Sequence, residues 1–185
     1  MRINDIVDSG HTSIKWLVGS AEQICLAKAS ADWLTVTSSF HCADFYLASR
    51  EFHQVLRAGG HFTVLLNPRF IEANPLLVEI EAHLDKLRPK IKCVSSDRFC
   101  VAEIPTEKLR ASTYFDYVAY LEGYHIIKMK LERYLGAWRS VKNLRFQLGP
   151  QKFDDFPNFV KGRITGLQVI EAMYLTRAWS ARRKG

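Results

Sequence analysis

Apolar residues along the first third of the chain change their spacing from one segment to the next. Short apolar runs occupy residues 14–18 and 32–39, and a third run, HFTVLLN, occupies residues 61–67. Between the last two, apolar residues recur every three or four positions behind Asp44, a residue type that caps helices. The pattern predicts strand, strand, helix and strand, with Gly59 ending the helix in a left-handed conformation and Gly60 turning the chain into the last strand.

The rest of the chain alternates in the same way. Asn74 and Pro75 open a helical pattern that runs to Leu87. Further on, the spacing predicts a strand from Phe115 and a closing strand, with two helices between them. These segments are residues 115–129 and 167–179 for the strands, and 130–140 and 149–164 for the helices. A helix near residues 102–110 is left open. Helices that follow strands indicate an α/β fold with a largely parallel sheet.

Composition limits the class of protein. A chain of 185 residues, 48% hydrophobic and 24% charged, suits a single domain spanning residues 1–185. No window holds the roughly 18 apolar residues of a membrane span, and polar residues interrupt the N-terminal segment, so we expect a cytoplasmic protein without a membrane partner. The net charge of +7 is spread along the chain apart from the closing Arg182, Arg183 and Lys184, so nucleic-acid binding is the minority interpretation.

The cysteines give no sign of a metal site or of a disulfide framework. They are scattered and contain no C-x-x-C pair, which predicts small, buried, reduced side chains at Cys25, Cys42, Cys93 and Cys100.

Several segments carry a resemblance to a known family. IKWLVGSAEQ, ADWLTVTSSFHCAD and EFHQVLRAGGHFTVLLNPR follow one another in residues 14–69, and YLGAWRSVKNLRFQLG and YLTRAW follow later. In order and spacing they resemble class I S-adenosylmethionine-dependent methyltransferases of the small-molecule type. The resemblance implies a Rossmann-like three-layer α/β sandwich and methyl transfer from S-adenosylmethionine to a small-molecule acceptor. It also implies that residues 1–30 are a remnant of the cofactor-binding half, and that residues 31–185 are the central and C-terminal half.

One part of the family's pattern is not found. The family opens with a strand, a glycine-rich loop and a helix, and then a second strand that ends in an acid, whereas no G-x-G precedes Ile14 here. We therefore expect a truncated form, missing its first two strands, or a cofactor half that is supplied otherwise. Two alternatives stay open. One is a catalytically inactive structural or partner-binding protein, and the other is a nucleic-acid methyltransferase, for which the motif NPRF at residues 67–70 is a poor fit.

The resemblance also indicates where the cofactor would lie. Residues 20–22 match the turn after the family's third strand, and residues 38–39 match the end of its fourth strand, beside the reactive sulfonium. The implied cofactor contacts are Ser20, Ala21, Glu22, Ser38 and Ser39. His41 follows as a candidate general base, or as a structural histidine that packs over the site.

Candidate acceptor-binding residues lie near the C-terminus. Tyr134 and Trp138 are four positions apart and share one face of a predicted helix, where they either roof an acceptor pocket together with Arg139 or belong to the core.

The implied topology predicts an exposed sheet edge. Without the first two strands, residues 34–37 keep an unpaired side. That side would be filled by residues 14–18, by the first residues of the chain, or by a second copy in a symmetric homodimer, which is the outcome we expect.

Overall fold

The computed structural model describes residues 17–87 and 106–185, and these residues form a mixed α/β structure around one sheet. The sheet has the order β1-β2-β4-β3, made of β1 Ala31–Thr37, β2 Leu56–Leu66, β3 Phe115–Lys130 and β4 Val169–Arg183. Strands β1 and β2 are parallel, and β4 is antiparallel to both of its neighbours. Among the described residues, β1 and β3 are therefore the two edges of the sheet.

Four of the helices begin within a residue of their predicted starts, Thr106–Arg110 lies in the segment that the sequence left open, and Lys142–Leu148 was not predicted. The helices are α1 Phe45–Val55, α2 Pro75–Leu87, α3 Thr106–Arg110, α4 Leu131–Arg139, α5 Lys142–Leu148 and α6 Pro150–Ile164, with 3-10 turns at Phe40–Cys42 and Ile71–Ala73. The carboxylate of Asp44 accepts the N–H groups of Tyr46 and Leu47, and the amide oxygen of Asn74 accepts that of Leu76. These local caps set the starts of α1 and α2.

The predicted role of Gly59 is wrong. Helix α1 already ends at Val55, because the next residue, Leu56, is fully buried and pairs with Ala31 in the sheet. Gly59 does have a positive φ of 76°, but it lies inside β2, where four residues, 57–60, oppose the single β1 residue Asp32 between the first two pairs of the register. A Cβ on Gly60 would stand 2.9 Å from the carbonyl oxygen of Arg57. The glycines therefore shape a bulge in a strand rather than a helix stop.

Strands β3 and β4 form a long ribbon that projects beyond β2. The last residue of β2, Leu66, pairs with Arg177, whereas the β3–β4 pairing continues from there to Lys130 and Val169. At about 3.3 Å per residue, the eight β4 residues beyond Arg177 extend roughly 25 Å past the end of β2. Helices α4 to α6 are inserted at the far end of this ribbon.

Two separate hydrophobic cores pack against the ribbon. The body core joins β1, β2, α1 and α3, and its buried members include Phe40, Phe52, Phe62, Leu109, Phe115, Trp179 and Ala181. The cap core joins α2, α4, α5 and α6, and its buried members include Ile80, Leu84, Met129, Tyr134, Trp138, Phe156, Ile170 and Ala172. We call these two regions the body and the cap.

The two cores lie on opposite faces of the ribbon. Side chains alternate along a strand, and on β4 the body core takes odd-numbered residues such as Trp179, whereas the cap core takes even-numbered residues such as Ile170. On β3 both cores take odd-numbered residues, Phe115 and Met129. A one-residue register shift between Asp116 and Ala119 makes this possible. Beyond the shift, odd-numbered side chains of β3 point to the opposite face of the ribbon from Phe115.

Two further predictions, the first strand and the buried cysteines, can be checked only for the residues that the structure describes. Residues 17 and 18 of the first predicted strand are exposed and lie outside any strand, and the rest of that segment lies outside the described residues. Cys25 and Cys42 are free, as expected, but the prediction that they are buried is wrong, because both are exposed at the surface. Cys93 and Cys100 lie outside the described residues.

Candidate functional site

The carboxyl ends of β1 and β2 meet at one edge of the sheet, because the two strands are parallel. Ser38 follows β1, and its N–H group donates to the carbonyl oxygen of Leu65, 2.9 Å away in β2. Ser38 and Ser39 are both exposed, and Ser38 has a positive φ of 52°, which is strained for a residue with a side chain. Open α/β sheets bind their ligands outside this edge. We call it the carboxyl edge.

The turn at residues 20–23 lies near the same edge. Ser20 and Gln23 exchange backbone hydrogen bonds of 3.1 Å, and a Cβ on Gly19 would approach the carbonyl oxygen of Gln23 to 2.9 Å. The Oε1 atom of Glu22 accepts the N–H group of Asp44 at 2.9 Å, which holds the turn against the start of α1. Since α1 begins shortly after β1 ends, the turn and Ser39 belong to one side of the molecule.

Glu22 is engaged in this contact as a carboxylate. The N–H group of Asp44, together with its own N–H group and the Ser20 hydroxyl, holds the pKa of Glu22 below its usual range. Ser20 and Glu22 are thus already bonded to each other and to the chain, whereas Ser38 and Ser39 are exposed residues. The described residues therefore offer polar contacts for the adenosine and methionine parts of a cofactor, and no glycine-rich loop stands among them.

His41 is an exposed residue in the 3-10 turn after β1. The turn is anchored by Phe40, which is buried in the body core with its ring 5.3 Å from that of Phe62. The imidazole of His41 makes no hydrogen bond to any described residue. It stands at the carboxyl edge, and its role as a general base or as a structural histidine stays a prediction.

The three predicted acceptor-binding residues separate into two environments. Tyr134 and Trp138 are buried in the cap core, where the rings of Trp138 and Phe156 meet edge to face at 4.9 Å. The guanidinium of Arg69 lies 4.7 Å from the centre of the Trp138 ring and pairs with Glu81 at 2.7 Å. Burial raises the pKa of the Tyr134 hydroxyl. These contacts are core packing, and an acceptor contact by Tyr134 or Trp138 stays a prediction.

Arg139 points away from that core. It is exposed and lines an open depression of about 430 Å³ on the cap. The other lining residues are Arg145, Phe153, Asp154, Pro157 and Asn158. Arg139 therefore does not share a pocket with Tyr134 and Trp138.

A polar cluster that the sequence did not reveal lies where the chain leaves β2. The hydroxyl of Thr176 donates to Oδ1 of Asn67 at 2.9 Å and lies 3.3 Å from Nδ1 of His125. The His125 ring also stacks on the ring of Tyr174, with the centres 5.3 Å apart. The residues that form these bonds are 51 and 109 positions apart in the chain, so no local pattern could have grouped them.

Comparisons with known proteins show what part of the chain is similar to methyltransferases. Residues 4–64 match the family model of the methyltransferase domain. Over 57 residues the chain is 47% identical to the ubiquinone/menaquinone biosynthesis C-methyltransferase UbiE of Rubrivivax gelatinosus. That match covers 30% of this chain and 23% of the relative, so the chain matches about a quarter of that protein's length.

Solved structures extend the likeness to the whole fold. A protein of Anaeromyxobacter dehalogenans described as a type II methyltransferase aligns over 93% of this chain and 73% of its own, with a TM-score of 0.54 and 17% identity. A methyltransferase assigned to an antibiotic biosynthesis pathway of Anabaena variabilis aligns over 91% and 74%, with a TM-score of 0.51 and 15% identity. At these identities the likeness shows the fold alone.

The resemblance to class I S-adenosylmethionine-dependent methyltransferases is thereby confirmed, in sequence for residues 4–64 and in fold for the sheet and its helices. The predicted Rossmann-like α/β class is confirmed with it. The matching segment contains the turn at residues 20–23 and the serines after β1, and it ends inside β2. No helix of the described ranges is both long and apolar enough to cross a membrane.

Proposed function

We propose that this chain acts in methyl transfer from S-adenosylmethionine to a small-molecule acceptor at the carboxyl edge. The observation that carries the proposal is that the segment matching the methyltransferase domain, residues 4–64, also supplies the residues gathered at that edge. These are Ser20, Ala21, Glu22, Ser38, Ser39 and His41. A shared fold alone would not locate a site, whereas a shared fold with a matching site segment favours a shared chemistry.

The cofactor would supply an activated methyl group, and the chain's own residues would hold the reactants. Ser38 and Ser39 offer hydroxyl groups where β1 ends, and the turn at residues 20–22 offers backbone and carboxylate contacts nearby. Methyl transfer needs mainly an in-line arrangement of the acceptor and the methyl group, so positioning by a rigid edge can provide much of the rate. The cap, which is carried beyond this edge by the β3–β4 ribbon, would form the other wall of the acceptor site.

The identity of the methyl acceptor does not follow from the similarity to known methyltransferases. The UbiE relative is a C-methyltransferase by name, but the match to it covers only 30% of this chain. The cap begins beyond residue 64, outside the segment that matches the family. We therefore expect the cap to decide which acceptor is used.

Binding of S-adenosylhomocysteine tests the proposal. In a titration of the purified chain followed by two-dimensional amide NMR, we expect shifts confined to residues 20–22 and 38–41. Each missing charge-assisted hydrogen bond of a glycine-rich loop removes about 1.5–3 kcal/mol, so we expect a dissociation constant weaker than micromolar. The double variant Ser38→Ala/Ser39→Ala should weaken binding several-fold, whereas Ser140→Ala, an exposed serine of the cap, should not.

Absence of any shift at millimolar ligand would contradict the proposal for this chain and would favour the non-catalytic alternative. Shifts at the opposite edge of the sheet would contradict the site. Nucleic acid is a poor alternative acceptor, because the closing basic residues are engaged within the fold. Arg182 pairs with Asp116, Arg183 donates to the carbonyl of His53, and Lys184 donates to that of Ser112.

A homodimer is the partner arrangement that we infer from the sheet. In the described ranges β1 pairs only with β2, which leaves one side of an apolar strand open to a second copy. Light scattering at micromolar concentration should give twice the monomer mass. Thr35→Lys places a charge on an exposed position of that strand and should give the monomer. A monomeric wild type would contradict the inference.

A further inference from the structure

The body contains a cavity that is separate from the carboxyl edge. Three residues of α1 and five residues of the segment 108–114 enclose about 330 Å³ between them. Both elements pack on the body core, α1 through Phe52 and the other segment through Leu109. None of residues 20–22 and 38–41 lines the cavity. We call it the α1 cavity.

Aromatic rings form the walls of the α1 cavity. The ring of Phe45 meets that of Phe40 at 5.9 Å and that of Tyr46 at 5.4 Å, in both cases edge to face. On the other side, the ring of Tyr114 lies 5.4 Å from the imidazole of His53. Because neighbouring rings hold Phe45 and Tyr114, two flat apolar surfaces are present before any ligand arrives. Such surfaces favour an aromatic ligand.

Ser49 lines the α1 cavity from its buried side. The residue is 1% exposed, and its Oγ atom has no hydrogen-bond partner within the described residues. Ser112, the other buried serine of the lining, is already engaged, since its Oγ accepts the N–H group of Tyr114 and its carbonyl accepts Nζ of Lys184. A buried hydroxyl without a partner destabilises a fold. A ligand with a polar atom at this depth would supply the partner that Ser49 lacks.

Lys108 gives the α1 cavity a positive charge. It is exposed, and it forms no ion pair with any described residue. No acidic residue lines the cavity, and the ammonium of Lys184 lies behind the wall, 2.9 Å from the carbonyl oxygen of Ser112. Because Lys108 is exposed and Ser49 is buried, the open side of the cavity favours an anion and the closed side favours a neutral polar group.

The size and charge of the α1 cavity limit the ligand further. Its volume is at the lower end of the range for small-molecule sites, about 300–1,000 Å³, which suits one or two rings. A carboxylate carries one negative charge, which a single ammonium balances, whereas a phosphate group carries nearly two. The lining therefore fits a carboxylate better than a phosphate.

We propose that the α1 cavity binds a small aromatic carboxylate that carries a hydroxyl group on the opposite side of its ring system. The carboxylate pairs with Lys108, the rings lie between Phe45 and Tyr114, and the hydroxyl group bonds to Oγ of Ser49. This second site is independent of the methyl transfer proposed above, and binding to it requires no cofactor.

Three related naphthalenes test the choice of ligand. 6-Hydroxy-2-naphthoate carries both polar groups, 2-naphthoate lacks the hydroxyl group, and 2-naphthol lacks the carboxylate. In titrations of the full chain followed by two-dimensional amide NMR, we expect 6-hydroxy-2-naphthoate to shift residues 45–49 and 108–114. It should bind about 3–10-fold more tightly than 2-naphthoate and about 2–5-fold more tightly than 2-naphthol.

Two variants assign these preferences to their residues. Ser49→Ala should abolish the preference for 6-hydroxy-2-naphthoate over 2-naphthoate and keep the preference over 2-naphthol. Lys108→Met should have the opposite effect. Arg110→Met is the matched control, because Arg110 is an exposed cation of the same helix that does not line the cavity, and it should change neither ratio. Ser49→Ala should not lower the urea midpoint, because it removes an unpartnered hydroxyl group and introduces a better helix former.

Three results would overturn the proposal. One is the absence of shifts at residues 45–49 and 108–114 with millimolar 6-hydroxy-2-naphthoate. Another is equal binding of the three naphthalenes by wild type, which would show apolar contact without recognition of either polar group. The third is an unchanged preference for the hydroxyl group in Ser49→Ala.

Competition separates this inference from the proposed function. S-adenosylhomocysteine should bind at the carboxyl edge without displacing 6-hydroxy-2-naphthoate, and Ser38→Ala/Ser39→Ala should weaken binding of the first and leave that of the second unchanged. Mutual displacement, or naphthoate shifts confined to residues 38–41, would place the naphthoate at the carboxyl edge and overturn the second site. If wild type binds the naphthoate but not S-adenosylhomocysteine, the proposed function fails and the α1 cavity stands.

Discussion

The body and the cap are built on the same ribbon by different means. In the body, the buried rings of Phe40, Phe52, Phe62 and Phe115 lie in a chain of contacts 4.7–6.0 Å apart, between a sheet and one helix. In the cap, the packing is helix on helix, and it encloses an ion pair, Arg69 with Glu81, beside Trp138. The described part of the segment that matches the methyltransferase domain lies in the body, whereas the helices of the cap begin beyond that segment.

The difference separates the part of the molecule that is shared with other proteins from the part that we expect to choose the acceptor. A nonpolar core beside a pair of parallel strands places the carboxyl edge in the same way in many proteins and says little about the acceptor. A cap with its own core can change without disturbing that edge, because the two cores have no buried residue in common. Changes in one region can therefore be followed separately in the body, at Trp179, and in the cap, at Trp138.

The largest effects should come from the two cores. Phe62→Ala in the body and Phe156→Ala in the cap each remove a fully buried ring and should cost about 3–5 kcal/mol of unfolding free energy. Fluorine NMR of the chain labelled with fluorotryptophan, in urea, follows Trp179 in the body and Trp138 in the cap separately. We expect Phe62→Ala to destabilise both reporters, because the cap is attached through the ribbon.

Phe156→Ala, in contrast, should lower the transition of Trp138 and leave that of Trp179 within about 0.5 kcal/mol. The side chain of Phe146 is 88% exposed, so Phe146→Ala is the matched control. It should change the unfolding transition of neither tryptophan. If the two tryptophans lose their native signals together in every variant, the body and the cap form one cooperative unit, and the distinction drawn here is wrong.

An intermediate effect is expected from the ion pair in the cap. The side chains of Arg69 and Glu81 are only 21% and 17% exposed, so Arg69→Met removes a cation from a largely buried carboxylate. The loss should be about 2–3 kcal/mol by urea unfolding, at the Trp138 reporter. Arg163→Met breaks another cap pair, Arg163 with Glu79, whose side chains are 49% and 45% exposed, and should cost less than about 1 kcal/mol. Equal losses would show that burial is not what strengthens the first pair.

Local sequence signals predicted the parts of both regions that depend on near neighbours. Asp44 and Asn74 were recognisable as caps because a cap bonds to N–H groups two or three residues away. The two long strands and the helices between them follow from side-chain periodicity in the same way. The serines after β1 were found through resemblance, since a motif preserves spacing along the chain.

Features that depend on distant partners were not predictable. Gly59 lies in a bulge because of how β2 pairs with β1, and no residue near Gly59 specifies that register. The one-residue shift that separates Phe115 from Met129 across the ribbon is another case. The cluster of Asn67, Thr176 and His125 is assembled from the residue after β2, from β4 and from β3, so its hydrogen bonds exist only in the folded chain.

The smallest effect concerns a histidine of the body. The ring of His53 lies 5.4 Å from that of Tyr114, and its Nε2 is 3.2 Å from the carbonyl oxygen of Lys184, so the neutral ring donates there. Burial, together with the nearby Arg183, lowers the pKa of His53, although the bond to Lys184 acts in the other direction. His61, which also lies in the body, is exposed and serves as the control.

Because the pKa of His53 is lower in the folded chain than its ordinary value, near 6.5, the unfolded chain binds more protons between the two values. The stabilisation by the neutral ring should be fully present above pH 6.5 and should be lost as the pH falls through the folded pKa. Urea unfolding of wild type between pH 8 and pH 5, read at Trp179, should therefore show a decrease that His53→Gln reduces and His61→Gln leaves unchanged. The unfolding free energy at Trp138 in the cap should decrease with pH only to the extent that unfolding of the body also unfolds the cap. A wild-type slope that His53→Gln does not alter would assign the pH dependence to other groups.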